Sequence, residues 1–334
     1  MQAWQIETFG VDELKQTERA TPAPGAGEVL VRVRAVSFNY RDLMVVKGLY
    51  NPKMKLPRIP CSDGAGEVEA VGEGVRAWKP GDRVAGIFMQ NWWEGPPSAA
   101  TNKGALGGDI DGMLAEYVVL RETGLVRVPE KLSFAQAATL PCAAVTAWNA
   151  LKVGGVGAGS TVLIQGTGGV SIFALQMAKA MGARVLGVSS SDEKLARAAA
   201  MGLDAGLNYR ATPDWDRWVV EQTDGVGVDL VVEVGGMGTV TRSMRAVRVG
   251  GTIAQIGVLS AASEMIPLTM ILHKQTRIQG IYVGSRADFV AMNAFIEKHG
   301  LRPVLTSRPW SEAREALRTM EAATHFGKLV VEAE

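Results

Sequence analysis

Apolar and charged residues alternate through 29–36, Val-Leu-Val-Arg-Val-Arg-Ala-Val, a period of two that predicts a strand with one face buried. Residues 65–71 and 83–88 are further β-rich runs punctuated by glycine, so the chain from 28 to 120 reads as a compact, partly open β unit interrupted by one helix at 41–47. Residues 89–112 are rich in Gly, Pro, Asn and Trp and have no usable period. A loop that long is either functional or a surface insertion, and both readings stand. Its Trp92-Trp93 pair equally fits a pocket lining or a cover over the sheet.

From 161 the rhythm becomes strand, helix, strand, helix, the pattern of a parallel sheet covered on both faces. Residues 161–164 predict a buried strand, 169–181 a helix, 184–188 a second strand, and 192 onward a second helix. Later strands are expected at 229–234, 252–256 and 277–283. With a third strand before Tyr209 these make six, a full doubly wound domain. The fifty residues after Gly284 exceed one helix and are expected to complete the first domain. The organisation predicted is α/β, with a β-rich domain from 1–143 and 284–334 and a dinucleotide-binding domain at 144–283.

Composition narrows the classes. The 334 residues carry a formal net charge of +1 and no Lys/Arg-rich run, so neither nucleic acid nor an anionic membrane is the expected partner. No secretory signal and no spanning apolar segment is evident, and the expectation is a cytoplasmic protein. Two cysteines, Cys61 and Cys142, are too few for a disulfide framework or a four-thiolate metal site.

The sharpest motif is Gly166-Thr167-Gly168-Gly169-Val170-Ser171, which follows a strand and opens a helix. Glycine permits the tight turn, and the missing side chain at Gly168 lets a pyrophosphate approach backbone N–H groups at the positive helix end. Ser171 departs from the fingerprint, which prefers Gly or Ala there, and a slight outward shift of the helix is expected. At the end of the second strand an acid would select NAD. The residues present are Ser189, Ser190 and Ser191, with Lys194 close behind, and this favours NADPH over NADH. Asp192 and Glu193 argue the other way, but Ser190-Ser191-Asp192-Glu193 also fits a capping box that assigns the acids to the helix start. Tyr209 and Arg210 either serve the adenine end or form a solvated turn.

These residues resemble the medium-chain dehydrogenase/reductase superfamily over essentially the whole chain. The likeness is carried by Asn39-Tyr40-Arg41-Asp42 with Gly48-Leu49-Tyr50, by Gly64 to Val68 running into Val71 to Val75, and by Pro80 to Val84. Ala143 to Ala147, the glycine turn and the closing His325-Phe326-Gly327-Lys328 complete it. The resemblance implies a GroES-like catalytic domain beside a Rossmann domain, with substrate between them, and a homodimer. In the zinc-dependent alcohol dehydrogenases of the superfamily three ligands hold the catalytic zinc. Asn39 stands at the first place, Cys61-Ser62-Asp63 match the Gly-His-Glu triplet of the second, and Cys142 before Thr146 keeps the third. An amide, a hydroxyl and one thiol are a poor set for a tetrahedral zinc, so no metal is expected; an opportunistic ion between Cys61, Cys142 and Asp63 is the alternative, and Cys142 reads more simply as a small buried apolar residue.

Without a Lewis acid, direct alcohol oxidation becomes harder. The branch resembled is that of the zinc-free quinone oxidoreductases and enoyl or acrylyl thioester reductases, which deliver hydride to a quinone or to the β-carbon of an α,β-unsaturated carbonyl. Tyr50 matches a tyrosine implicated as donor in enoyl reductases, its other reading being an aromatic packed against the next loop, and Asn39 offers an amide N–H to the same carbonyl. The resemblance sets Thr146 beside the nicotinamide and the backbones of Gly257-Val258 and Tyr282-Val283 at its carboxamide, and it counts Lys328 with the cofactor residues. His273, His299 and His325 read as structural. Two other functions stay open: an alcohol or aldehyde dehydrogenase of the same superfamily, and an NADPH-binding structural or redox-sensing protein without turnover.

Overall fold

A computed structural model of the chain describes residues 1–258 and 266–333. The chain divides into two compact units, Met1–Val145 with Val283–Glu334, and Thr146–Tyr282. In the first, β1 (Gln2–Ile6) and β2 (Leu14–Glu18) pair antiparallel. Strands β3 (Glu28–Phe38), β4 (Asp63–Val71), β5 (Arg83–Gly86), β6 (Tyr117–Arg121) and β7 (Leu125–Arg127) build most of a seven-stranded sheet. Helix α1 (Tyr40–Val46) follows β3 directly. After α2 (Phe134–Ala138) a π-helical turn at Leu140–Ala144 leads into α3 (Val145–Val153), where the second unit begins.

The second unit alternates strand and helix. Its strands are β8 (Thr161–Gln165), β9 (Arg184–Ser189), β10 (Ala205–Asn208), β11 (Val228–Glu233), β12 (Val247–Gln255) and β13 (Arg277–Gly280). Between them lie α4 (Gly169–Ala180), α5 (Asp192–Ala200), α6 (Trp215–Glu221), α7 (Val240–Ala246) and α8 (Leu268–Lys274). The strand order is β10-β9-β8-β11-β12-β13 and every pairing is parallel. The order therefore reverses between β8 and β11, the switch point at which doubly wound sheets bind dinucleotides. Leu163, Leu186, Val231 and Ile253 pack in one core on this sheet. The last strand is shorter than its apolar run suggests: β13 stops at Gly280, and Val283 has φ +52, a conformation a β-branched residue seldom adopts.

The chain then returns to the first unit through α9 (Arg286–His299), β14 (Leu305–Pro309), α10 (Ala313–Glu321) and β15 (Lys328–Glu332). Along β3 one edge serves two partners, β6 over 28–32 and β15 over 35–38, while the other edge pairs with β4. The register sets Ser37 opposite Asp63 and Phe38 opposite Leu329. Three strand ends, Phe38-Asn39, Asp63 and Lys328, thus meet at one end of the sheet.

The 89–112 segment has no helix or strand, yet it is part of the framework. Trp92 is buried with Phe88, Met89, Ala105 and Val283, and its indole N–H donates to Gly95 O at 3.0 Å. Trp93 is half exposed. The loop's Gly107 and Gly112 lie against the turn at Cys61, itself at φ +70, and a Cβ on Gly112 would come within 2.2 Å of Cys61 O and 2.3 Å of Pro60 O. No helix among the described residues is long and apolar enough to cross a membrane. Since neither carbonyl can retreat without moving the Cys61–Asp63 turn, Gly112→Ala is expected to destabilise the protein by about 1–3 kcal/mol. Urea unfolding checks this, and an unchanged midpoint would show that the loop is loosely held.

Candidate functional site

Two groups of residues stand out, one in each unit. In the second unit the turn after β8 is drawn tight by Gly166, at φ +68, whose N–H donates to Val188 O at 2.6 Å. Gly168 begins α4 with ordinary φ −76 and supplies no side-chain acceptor to the first-turn N–H groups, Gly169 and Val170 among them. A Cβ built on Gly168 would meet no protein atom within 4 Å. The fold does not need glycine there, so the open space is of the kind a bound phosphate would fill. Thr167 is buried, and Ser171 is accommodated: its hydroxyl donates to Gln165 O at 2.5 Å and closes the turn beneath the helix.

At the end of β9 Ser189 is buried and its carbonyl takes the Tyr209 N–H at 3.0 Å, while Ser190 is partly exposed. Ser191, not Ser190, caps α5, accepting from Lys194 N at 3.3 Å. The cap stands one residue later than the serine run suggests, so the N3 residue is Lys194 and the reciprocal capping box is not formed. Asp192 and Glu193 still fall in the first turn, exposed. Burial, and Arg197 beside it, hold the Lys194 ammonium below the ordinary lysine range. Tyr209 is half exposed; Thr146 is buried at the start of α3; Gly257 is partly buried and Val258 and Tyr282 are exposed. Val283 belongs to the first unit, packed with Trp92.

Sequence reasoning passed over Glu233. It is the last residue of β11 and reads there as one more position of a buried strand, yet its side chain is fully buried and heavily hydrogen-bonded. An acid ending an apolar strand was the available signal.

In the first unit Asn39, Asp42, Ser62, Asp63 and Lys328 form a buried polar cluster at the meeting of β3, β4 and β15. Lys328, only 3% exposed, donates to Phe38 O at 2.6 Å and to Asn39 Oδ1, and stands 3.8 Å from Asp63 Oδ2. An ammonium can only donate, so the Asn39 carbonyl must face it. The Asn39 amide nitrogen then points to Ser62 Oγ at 3.4 Å and to the Asp63 carboxylate. Ser62 donates to Asp63 Oδ1 at 2.7 Å, and Asp63 Oδ2 takes the Cys142 N–H of the π-helical turn at 3.2 Å. The Asn39 amide is thereby turned inward, toward Ser62 and Asp63, and the Lys328 ammonium is engaged with Phe38 and Asn39.

Tyr50, 38% exposed, is linked to this group through Arg41, which stands 3.6 Å from Asp42 Oδ1. The Arg41 guanidinium sits 5.1 Å from its ring centre and 4.7 Å from that of Phe88, and donates to Leu106 O at 2.6 Å. The 89–112 loop thus holds Arg41, and Arg41 holds Tyr50.

The family resemblance raises zinc, and the donors here do not fit it. Asn39 is held at both ends of its amide, Ser62 is a hydroxyl donating to Asp63, and burial pushes both the Cys61 and Cys142 thiols well above the ordinary range. A thiol that keeps its proton is a weak ligand. Among the described residues no three His, Cys, Asp or Glu side chains are arranged to hold a metal ion.

Burial also raises the carboxyls. Asp63 is pushed above the ordinary range against the pull of Lys328, and Asp42 up to about 6, with Arg41 opposing. Folded Asp42 keeps its proton to about pH 6, whereas the unfolded chain releases it near 3.8. Stability arising from this group is therefore greatest at low pH and falls as pH rises through that window. Asp42→Asn has no proton to lose and is expected to gain on the native protein by about 3 kcal/mol between about pH 4 and pH 7. Urea midpoints across pH test this; a difference that does not change with pH would contradict it.

Comparison with known proteins agrees with this architecture. Residues 25–130 match the family described as alcohol dehydrogenase GroES-like domain, and residues 169–298 match zinc-binding dehydrogenase. A zinc-type alcohol dehydrogenase-like protein of Schizosaccharomyces pombe is 43% identical over 97% of this chain and 96% of its own. The acryloyl-coenzyme A reductase of Metallosphaera sedula is 32% identical over 85% of each. Among solved structures, a cobalt- and zinc-bound thermostable alcohol dehydrogenase from Pyrobaculum aerophilum superposes with TM-score 0.87 at 30% identity, covering 100% of this chain and 99% of that one. The quinone oxidoreductase of Coxiella burnetii superposes with TM-score 0.81 at 27% identity and the same coverage. With its GroES-like unit, its doubly wound unit and relatives along nearly its whole length, the chain belongs to the medium-chain dehydrogenase/reductase superfamily and is an oxidoreductase.

Proposed function

We propose that this oxidoreductase transfers hydride from NADPH to a quinone or to the β-carbon of an α,β-unsaturated carbonyl, and that it does so without zinc. One observation carries the reading: the three positions that hold catalytic zinc in the zinc-dependent enzymes are taken by a clamped amide, a hydroxyl engaged with Asp63 and a thiol held protonated by burial. Acceptors already activated by conjugation need no Lewis acid. The acryloyl-coenzyme A reductase and the quinone oxidoreductase among the relatives act on such acceptors by name, whereas others are named alcohol dehydrogenases.

Gly166, Thr167, Gly168, Gly169 and Val170 would receive the pyrophosphate, and Ser190, Lys194 and Tyr209 the phosphorylated ribose and adenine. The absence of an acid at the end of β9 supports NADPH over NADH. Thr146, Gly257, Val258, Tyr282 and Val283 are assigned to the nicotinamide end. Reduced nicotinamide supplies the hydride when bound. What the protein must add is a donor for the oxygen that gains charge. Tyr50 is the group for this, since its exposed ring is steadied by Arg41; Asn39 and Lys328 act behind it by fixing Asp63 and the end of β3. Strand β13, which among the described residues pairs with β12 alone, is the proposed seam of a homodimer.

Gly168→Ala should leave thermal stability unchanged, because its Cβ meets no protein atom, yet weaken NADPH binding by about tenfold or more. Equal affinity in the two proteins would place the cofactor elsewhere. Activity is tested by anaerobic titration with NADPH and a panel of quinones, enones, enoyl thioesters and, in reverse, alcohols with NADP. Oxidation of NADPH by the conjugated acceptors is expected, lowered about a hundredfold or more in Tyr50→Phe with NADPH affinity unchanged. Turnover confined to alcohols would overturn the proposal, and binding of NADPH without any turnover would make the protein a cofactor-binding module.

A further inference from the structure

Glu233 closes β11 with a carboxylate that no solvent reaches and whose partners are all neutral donors. Oε1 accepts from Gly235 N at 2.8 Å, Gly236 N at 3.0 Å and Thr239 Oγ at 2.5 Å. Oε2 accepts from Gln165 Nε2 at 2.7 Å and from Ser243 Oγ. Gln165, at the end of β8, turns its other amide atom to the same loop, taking Val234 N and Gly235 N at 3.2 Å each. An anion this far from water is costly unless every lone pair is met, so the chain after β11 is built around it.

The clamp reaches the next loop. The Glu233 backbone carbonyl accepts Ile256 N at 2.9 Å and Gly257 N at 3.0 Å. A Cβ on Gly257 would overlap Val234 O at 1.6 Å, and one on Gly236, at φ +94, would press on Gly257 O and Val258 Cα at 3.1 Å. The turn at 234–239 and the backbone of 256–258 are therefore one body hung on a single residue. Both lie at the carboxyl ends of β11 and β12, across the switch point from β8 and β9. A dinucleotide straddling that point with its adenine half at β9 lays its nicotinamide half on this side.

We propose that Glu233 is a positioning residue for the nicotinamide half of the cofactor: its carboxylate sets the 234–239 turn and, through it, the 256–258 backbone that the nicotinamide meets. The proposal rests on the dinucleotide reading above. Neutralising the acid without changing its shape puts an N–H where an acceptor stood, opposite either the Gly235 and Gly236 amides or Gln165 Nε2, and releases part of the turn.

The test uses the full chain and two ligands, NADPH and the adenine-half fragment adenosine 2′,5′-bisphosphate, with dissociation constants from calorimetry. Glu233→Gln is expected to weaken NADPH by about tenfold or more while the fragment changes by less than about twofold. Thr239→Val removes one donor to the carboxylate and leaves the acid in place, so it carries the test if the first variant does not fold; a few-fold loss confined to NADPH is expected, on the order of one hydrogen bond. Equal weakening of both ligands would reduce Glu233 to a general structural role, and unchanged NADPH affinity in both variants would remove the role altogether. Failure of the native protein to bind either ligand would instead sink the dinucleotide reading.

Discussion

The buried Lys328 ammonium is the contact on which the first unit turns. A cation withdrawn from water costs several kcal/mol, and here the cost is offset by Phe38 O, Asn39 Oδ1 and the nearby Asp63 carboxylate. Its hydrogen-bond partners stand 290 and 289 positions earlier, with Asp63 of β4 3.8 Å away, so the contact sews the last strand to β3 and β4. Because an ammonium has no acceptor, it also decides which way the Asn39 amide faces, and through that amide the places of Ser62 and Asp63. A positive charge already stands among these carboxylates, which is one more reason for a divalent cation to find the place unfavourable.

The second unit solves a different problem with the same means. Its ligand is expected to bring negative charge, so the turn after β8 presents uncapped helical N–H groups and an unfilled space at Gly168, with no acid at the end of β9. One buried acid of this unit, Glu233, is kept inside, where neutral donors meet its carboxylate. In each unit a buried charge holds loops in place.

What could be read along the chain was local. The glycine turn, the strands around 161 and 184 and the helix opening at Gly169 follow from period and spacing over a few residues, and the structure has them within a residue or two. The run at 277–283 misled, because the strand ends at Gly280 and the last residue of the run, Val283, packs in the first unit. The capping box read from Ser190 is not formed, because α5 starts one residue later and Ser191 caps it. Trp92 and Trp93, inseparable as a pair, part company once the loop folds. The orientation of Asn39 could not be read at all, since it is set by Lys328 from the far end of the chain, and Glu233 looked like an ordinary strand residue until its donors were assembled.

We propose that the cluster of the first unit works with amide, hydroxyl and ammonium in place of a metal. It is tested most directly by measuring zinc and turnover on one purified sample, by mass spectrometry and NADPH oxidation, before and after dialysis against a strong chelator. Zinc well below one per chain and the same turnover after dialysis are expected. One tightly held zinc per chain, whose removal abolishes turnover and whose return restores it, would contradict it.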